Sequence, residues 1–104
     1  MNTYLVYQLP SENDKMRDLY FMDHKQIEAI SDEFEVVAEI VADSLDEVFR
    51  LGNFMGDDAE IDAKVKTQGM RSVSVGDILV STYTGLEYVV TADGFELIEM
   101  KEAV

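Results

Sequence analysis

Alternating apolar and polar positions at the start of the chain predict a β-strand. Residues Thr3–Leu9 alternate in this way and are rich in Tyr and Val, which favour strands. The composition of Pro10–Asp14 indicates a turn or loop. The short apolar run Leu19–Met22 then predicts a second strand, antiparallel to the first.

The next part of the chain predicts a short helix and then a longer strand. Asp23 and Gln26 have the spacing of a capping box, which predicts a helix from about His24 to Ile30. Residues 34–41 alternate; Ala and Glu also favour a helix there, but the β-branched residues favour a strand. The pattern predicts one apolar face and two glutamates directed to water: Phe34, Val36, Ala38 and Ile40 on the first face, Glu35 and Glu39 on the other.

A second helix and an acidic loop are predicted after this strand. Ser44 and Glu47 have capping-box spacing, and Gly52 predicts the end of the helix. The apolar residues between them repeat at helical spacing: Leu45, Val48, Phe49 and Leu51. From Asn53 to Gly69 the pattern fades into a polar acidic loop, in which Ile61, Ala63 and Val65 indicate a short extended piece.

The C-terminal third predicts a β-meander. Residues 71–75 are extended by pattern, and strands are predicted at 78–81, 87–91 and 95–99, with a hairpin turn at Asp93-Gly94. Gly76-Asp77 and Thr84-Gly85 indicate the other turns. The fold class predicted for the whole chain is α+β: a small antiparallel sheet or partly open barrel with two short helices and a C-terminal meander. No repeat or linker divides it, so one domain over residues 1–104 is expected.

The C-terminal third contains the run Ser72-Val73-Ser74-Val75-Gly76-Asp77 and, after a hairpin, Asp93-Gly94-Phe95. These two motifs are the most specific part of a pattern that resembles the YodL-like domains of bacteriophages and conjugative elements. The Tyr-rich first strand, Leu19-Tyr20-Phe21 and Leu45–Phe49 fit the same family, so the likeness covers most of the chain. Members often lie near antirestriction genes and have no assigned enzymatic activity. The resemblance implies a phage or mobile-element origin and no catalytic residues.

Composition places this chain among folded acidic proteins. With 47% hydrophobic residues it has the apolar content that a disordered chain lacks, and it has no cysteine. Neither a signal peptide nor a membrane span is indicated, so a cytoplasmic location is expected, in the bacterial host if the protein is phage-encoded. With 22 acidic and 8 basic residues the net charge is −14, which disfavours direct binding of nucleic acid or anionic membranes and favours basic protein partners.

The candidates for catalysis or metal binding are few. His24 is the only histidine, and no cysteine accompanies it. Asp58, Glu60 and Asp62 alternate as in a calcium loop, but the glycine and the final glutamate of such a loop are missing. Asp77 follows Gly76 at a turn, where bonds to neighbouring backbone are its expected role. No enzyme, metal or cofactor is predicted.

The acidic residues are concentrated in the middle of the chain. Twelve of the 22 carboxylates fall between Glu28 and Asp62, with Arg50 as the only basic residue there. On one strand face, Glu35 and Glu39 would lie about 13 Å apart at about 3.3 Å per residue, a spacing that could begin a nucleic-acid-like stripe of charge. The predicted partner-binding face comprises Glu35, Glu39, Asp43, Asp46, Glu47, Asp57, Asp58, Glu60 and Asp62.

Two functions follow as hypotheses. The first is a non-enzymatic inhibitor or modulator whose nucleic-acid-mimicking face occupies a basic host protein, such as a defence nuclease, RNA polymerase or a nucleoid protein. The second is an adaptor or homo-oligomeric module that binds through apolar anchors: Tyr20, Met22, Phe54, Met55, Met70 and Tyr83. A surface that is acidic only for solubility is the plain alternative to the first.

Overall fold

Six antiparallel strands form one open sheet in the computed structural model, which describes residues 2–100. The strands are β1 (Asn2–Gln8), β2 (Glu35–Ala42), β3 (Val65–Thr67), β4 (Ile78–Ser81), β5 (Glu87–Thr91) and β6 (Gly94–Ile98). Their order across the sheet is β3-β2-β1-β4-β5-β6. The α+β class is confirmed, with an open sheet. Of the predicted domain range, Met1 and residues 101–104 lie outside the described residues.

Three α-helices accompany the sheet, each with a side-chain cap at its start. They are α1 (His24–Ala29), α2 (Leu45–Gly52) and α3 (Asp58–Lys64), and two 3-10 helices span Asp14–Phe21 and Ser31–Glu33. The predicted capping box of α1 is confirmed, since Asp23 Oδ1 accepts the Gln26 N–H and Gln26 Oε1 accepts the Asp23 N–H. At α2, Ser44 Oγ accepts the Glu47 N–H at 3.2 Å.

The helices cover opposite faces at opposite ends of the sheet. Helices α2 and α3 pack beside β2 and β3, whereas α1 packs beside β5 and β6. Two buried apolar clusters result from this arrangement. The first joins Tyr4, Val6 and Ile40 to Val48 and Leu51; the second joins Leu9, Leu19 and Ile27 to Ile78 and Val89. Each face of the sheet therefore keeps one half without a helix among residues 2–100.

The predicted second strand at Leu19–Met22 is wrong. These residues end the 3-10 helix of Asp14–Phe21, which Asn13 caps by accepting the Lys15 N–H on its side chain. Only Leu19 of the run is buried, and Phe21 is 82% exposed. A short apolar run carries no periodicity that separates strand from helix, and here Leu19 is buried while Met22 packs against the same cluster only partly buried.

The strand predicted at residues 34–41 is confirmed as β2, and Glu35 and Glu39 are exposed as expected. The predicted two faces are wrong, because a β-bulge interrupts the strand. Val6 pairs with Ala38 but Tyr7 pairs with Val36, so Val37 is the extra residue. The bulge reverses the side-chain alternation from that point on. Val36 is 47% exposed. Phe34 packs in the cluster of Leu9, and Ala38 and Ile40 pack in the cluster of Tyr4.

The predicted loop at 53–69 contains a helix. Asp57 Oδ1 accepts the Glu60 N–H at 2.7 Å and starts α3, so Ile61 and Ala63 are helical and only Val65 is extended. The C-terminal meander is confirmed, since β4, β5 and β6 are neighbours in the sheet in chain order. Among the described residues, no helix combines the length and the apolar character that a bilayer crossing demands.

Candidate protein-binding surface

Helices α2 and α3 form an acidic hairpin that ion pairs hold together. Arg50 of α2 contacts Glu60 of α3 at 2.9 Å, and Lys64 of α3 lies 3.5 Å from both Glu47 and Glu60. Its hydrogen bond with the Arg50 guanidinium lowers the pKa of Glu60. Glu47 and Glu60, which belong to the predicted binding carboxylates, thus have cationic partners within the protein.

The structure does not bring the two strand glutamates together. Glu39 is opposite Leu5 of β1 and Lys66 of β3, whereas Glu35 is opposite Gln8. Because Leu5 and Gln8 point to different faces of β1, the bulge directs Glu35 and Glu39 to opposite faces of the sheet. The predicted stripe that begins with these two residues on one face is therefore wrong.

The remaining predicted carboxylates lie on the α2–α3 hairpin and its entrance. Asp46, Asp57, Asp58 and Asp62 are exposed, and Asp57 also caps α3. Asp43 is exposed just before α2. The candidate partner-binding surface is therefore limited to the α2–α3 hairpin and its entrance. Sequence reasoning missed α3, although Asp57 and Glu60 have the capping-box spacing that identified the other two helices.

The turn between the helices has an unusual residue at its centre. After α2, the Phe54 N–H donates to the Leu51 carbonyl at 2.9 Å and the Met55 N–H donates to the Arg50 carbonyl at 3.0 Å. These two bonds define a Schellman motif, whose left-handed position is usually glycine. Here it is Phe54, with φ 58°, the only non-glycine residue with positive φ among residues 2–100.

Apolar side chains are exposed in this turn and in the helix before it. Phe54 is 46% exposed, Met55 59% and Phe49 36%. Arg50 holds the turn in place, since one guanidinium nitrogen donates to the Met55 carbonyl at 2.6 Å and to Glu60 at 2.9 Å. We call Phe49, Phe54 and Met55 with Asp46, Asp57, Asp58 and Asp62 the α2–α3 corner.

The other predicted apolar anchors divide into two groups. Tyr20 and Tyr83 are exposed, as a binding role demands. Met22 and Met70 are half-buried and pack against the two core clusters. Phe21, which the sequence did not single out, is the most exposed large apolar residue among residues 2–100 and stacks edge to face on Tyr20, with ring centroids 5.5 Å apart.

Asp77 is the one carboxylate in the described chain that is almost fully buried, and its contacts are structural. Its Oδ2 accepts the Ser74 N–H and a Gln8 side-chain N–H, each at 3.0 Å. Burial raises the pKa of Asp77 to about 6. Gln8 in turn donates to the Arg71 carbonyl and accepts the Arg71 N–H. The expected role of Asp77, bonding to nearby backbone, is confirmed.

No cluster of three or more metal-ligating side chains occurs within residues 2–100. Comparisons with protein-family models, with curated proteins and with solved structures found no match for the chain. The resemblance to YodL-like domains stays a prediction. The α2–α3 corner is therefore the candidate surface on the strength of its own residues.

Proposed function

We propose that this protein is a non-enzymatic binding protein whose α2–α3 corner docks on a basic surface of a nucleic-acid-binding protein. The observation that carries the proposal is Phe54, an exposed aromatic residue at a backbone position that favours glycine. A bulky residue with positive φ costs about 1 kcal/mol or more, and Phe54, which is 46% exposed, has only part of its side chain buried to offset that cost. A residue that breaks a local conformational preference without stabilising the fold commonly has a functional role.

The residues around Phe54 favour a protein partner with basic charge. Phe49 and Met55 extend the apolar surface, and aromatic and Met side chains are typical of interface centres. Asp46, Asp57, Asp58 and Asp62 are exposed on the same two helices and the turn between them, while both cations of the hairpin, Arg50 and Lys64, are engaged in ion pairs. Exposed charges of one sign steer a partner of the opposite charge and help to set its orientation.

The class of partner follows from the same charge pattern. Proteins that bind nucleic acid carry basic grooves, and a net charge of −14 attracts such surfaces. The resemblance to YodL-like domains supports a mobile-element origin, for which a host defence nuclease, RNA polymerase or nucleoid protein is a fitting target. In this proposal the negative charge that mimics nucleic acid is confined to the aspartates of the α2–α3 corner. Phe54 adds an apolar contact with the partner that DNA itself would not make.

The test captures partners from a bacterial lysate at low salt and compares variants of the tagged protein. We expect Phe54→Ala and the pair Asp58→Lys with Asp62→Lys each to weaken capture, and duplex DNA to compete with the captured protein. The matched control reverses two exposed acids elsewhere, Glu12→Lys with Asp18→Lys, at the same change of net charge. Binding that survives about 0.5 M salt and ignores Phe54→Ala would contradict the proposal, because exposed charges are strongly screened there.

A second candidate function rests on the aromatic pair Tyr20 and Phe21. Both rings are exposed, at 64% and 82%, on the 3-10 helix remote in sequence from the α2–α3 corner. Such a pair is suited to an adaptor or to self-association through apolar contact. Light scattering of the purified protein separates this function from the first. A dimer that Phe21→Ser abolishes and that Phe54→Ala leaves intact would favour it.

A further inference from the structure

The β6 strand is an open edge of the sheet with unpaired backbone groups. It lies outermost in the strand order, and among residues 2–100 no strand pairs with its outer side. Val90 of β5 uses its N–H and carbonyl toward Asp77 and Gly76, on the side away from β6. In an antiparallel pair, the residue opposite such a position also directs its polar groups outward. Phe95 is opposite Val90 and Leu97 is opposite Tyr88, so both direct an N–H and a carbonyl to the outside.

The two edges of this sheet differ in how they are protected. Natural edges commonly carry lysine or proline, or are very short, and so avoid pairing with other chains. The opposite edge, β3, has three residues and places Lys66 at its centre. By contrast, β6 has five residues, Gly94-Phe95-Glu96-Leu97-Ile98, with neither lysine nor proline. Its one charged residue, Glu96, repels an acidic segment and attracts a basic one. The sequence therefore protects one edge and leaves the other able to pair.

The surface on each side of the β6 edge indicates what could pair there. On one face, Leu97 is 57% exposed beside Tyr88, on the half of the sheet that α2 and α3 leave uncovered. On the other face, a groove of about 330 Å³ between α1 and the β5–β6 hairpin is lined in part by Asp23, His24, Asp93 and Glu96. One face thus offers apolar contact and the other offers three carboxylates.

Charge excludes a second copy of the chain as the natural occupant. Residues 82–100 contain four acids and neither lysine nor arginine. Two β6 strands paired about a two-fold axis would bring Glu96 toward its own copy, and like charges opposite each other destabilise a sheet. Each copy also carries a net charge of −14. A strand from another protein with basic side chains on the Glu96 face would avoid both the repulsion between glutamates and the repulsion between two acidic chains.

We propose that the β6 edge binds an extended basic segment of another protein as a seventh antiparallel or parallel strand. Backbone groups of Phe95 and Leu97 bond to the segment, its apolar side chains contact Leu97, and its Lys or Arg side chains lie over Asp23, Asp93 and Glu96. This site is separate from the α2–α3 corner and does not depend on the function proposed for it.

The test titrates the ¹⁵N-labelled protein with a synthetic peptide of alternating Lys and Val. We expect chemical-shift changes along β6 and slower amide exchange at Phe95 and Leu97. N-methylation of every second peptide amide, in the register that faces the edge, should weaken binding about tenfold or more because it removes the bonding N–H groups. Methylation of the alternate amides, which face away from the edge, should weaken binding less. A peptide of alternating Glu and Val should not bind.

A protein variant provides the matching control. Leu97→Pro removes an N–H that β5 does not use, so the variant should keep its fold by circular dichroism and lose the peptide. Leu97→Ala keeps the N–H and should bind with an intermediate affinity. Three results would overturn the proposal: no shifts at millimolar peptide, shifts that lie away from β6, or equal binding of the acidic peptide. A dimer in light scattering that Leu97→Pro abolishes would also overturn it, since the occupant would then be a second copy.

Discussion

Two regions of this protein break simple sequence rules, and they do so with opposite consequences. The buried polar group formed by Gln8, Arg71, Ser74 and Asp77 places a carboxylate in the interior, but each of its polar contacts is an internal hydrogen bond. The α2–α3 corner holds the aromatic Phe54 at positive φ with 46% of its surface exposed, at a position where glycine would fit without strain. The first arrangement is satisfied by hydrogen bonds within the fold, whereas we attribute the second to the partner proposed above.

The largest expected effect comes from Gln8→Met, which keeps the side-chain volume and removes the hydrogen bonds. Asp77 would lose a donor, and the Arg71 N–H and carbonyl would lose their partners. We expect a loss of about 3 kcal/mol in the free energy of unfolding, because buried polar groups without partners are costly. Urea unfolding measures it. A loss below about 1 kcal/mol would show that this group is not a stabilising one.

The next effect is a pH dependence that Asp77 causes. Its folded pKa of about 6 lies above the ordinary value of 3.8, so the folded state binds the proton more tightly. The stability contributed by this group is therefore present below pH 4 and lost as the pH rises through about 6. Relative to wild type, Asp77→Asn should gain about 2 to 3 kcal/mol in stability between pH 4 and pH 7. A difference between the two proteins that stays constant over this range would contradict the assignment.

A smaller effect is expected where the two regions meet. Gly52 ends α2, and its carbonyl accepts the N–H of Val73, within the loop that joins Arg71 to Asp77. A Cβ atom at position 52 would lie 2.4 Å from Val73 Cγ2. Gly52→Ala should cost about 2 kcal/mol, because a buried β-branched side chain has little room to move. Adding Val73→Ala should recover part of that loss, and thermal unfolding of the single and double variants measures both.

The smallest effect has the opposite sign. Phe54→Gly relieves the positive φ of the Schellman motif and removes a ring that is 46% exposed, so stability should rise by about 1 kcal/mol. The same variant should lose the partner of the α2–α3 corner. Phe54→Ala, which keeps the unfavourable backbone conformation, should lose the partner without gaining stability. If Phe54→Gly destabilises the protein, Phe54 is a structural residue and the contrast between the two regions fails.

Local signals in the sequence predicted the elements that depend on local contacts. Asp23 with Gln26 and Ser44 with Glu47 located the starts of α1 and α2, because a cap acts within one turn of helix. The pair Asp93-Gly94 correctly predicted the last hairpin, because the conformation of a tight turn depends on the few residues that form it. The same capping logic applied to Asp57 and Glu60 would have found α3.

The candidate surface could be predicted only in part. The concentration of acids between Glu28 and Asp62 pointed to the part of the chain that contains the α2–α3 corner. The ion pairs that engage Glu47 and Glu60 depend on how α2 and α3 pack, which no local pattern encodes. In the sequence, Phe54 was only one of several candidate apolar anchors, since no neighbouring residue predicts a left-handed backbone conformation there.

The sequence by itself determined the α+β class, the caps, the C-terminal meander and the strongly acidic character. Each of these follows from side-chain type and short-range spacing. Only the tertiary structure decided three other features: the bulge at Val37 that separates Glu35 from Glu39, the bond between Gln8 and Asp77, and the exposed edge at β6. All three depend on which segments far apart in the chain become neighbours, since strand pairing sets register, burial and the position of an edge.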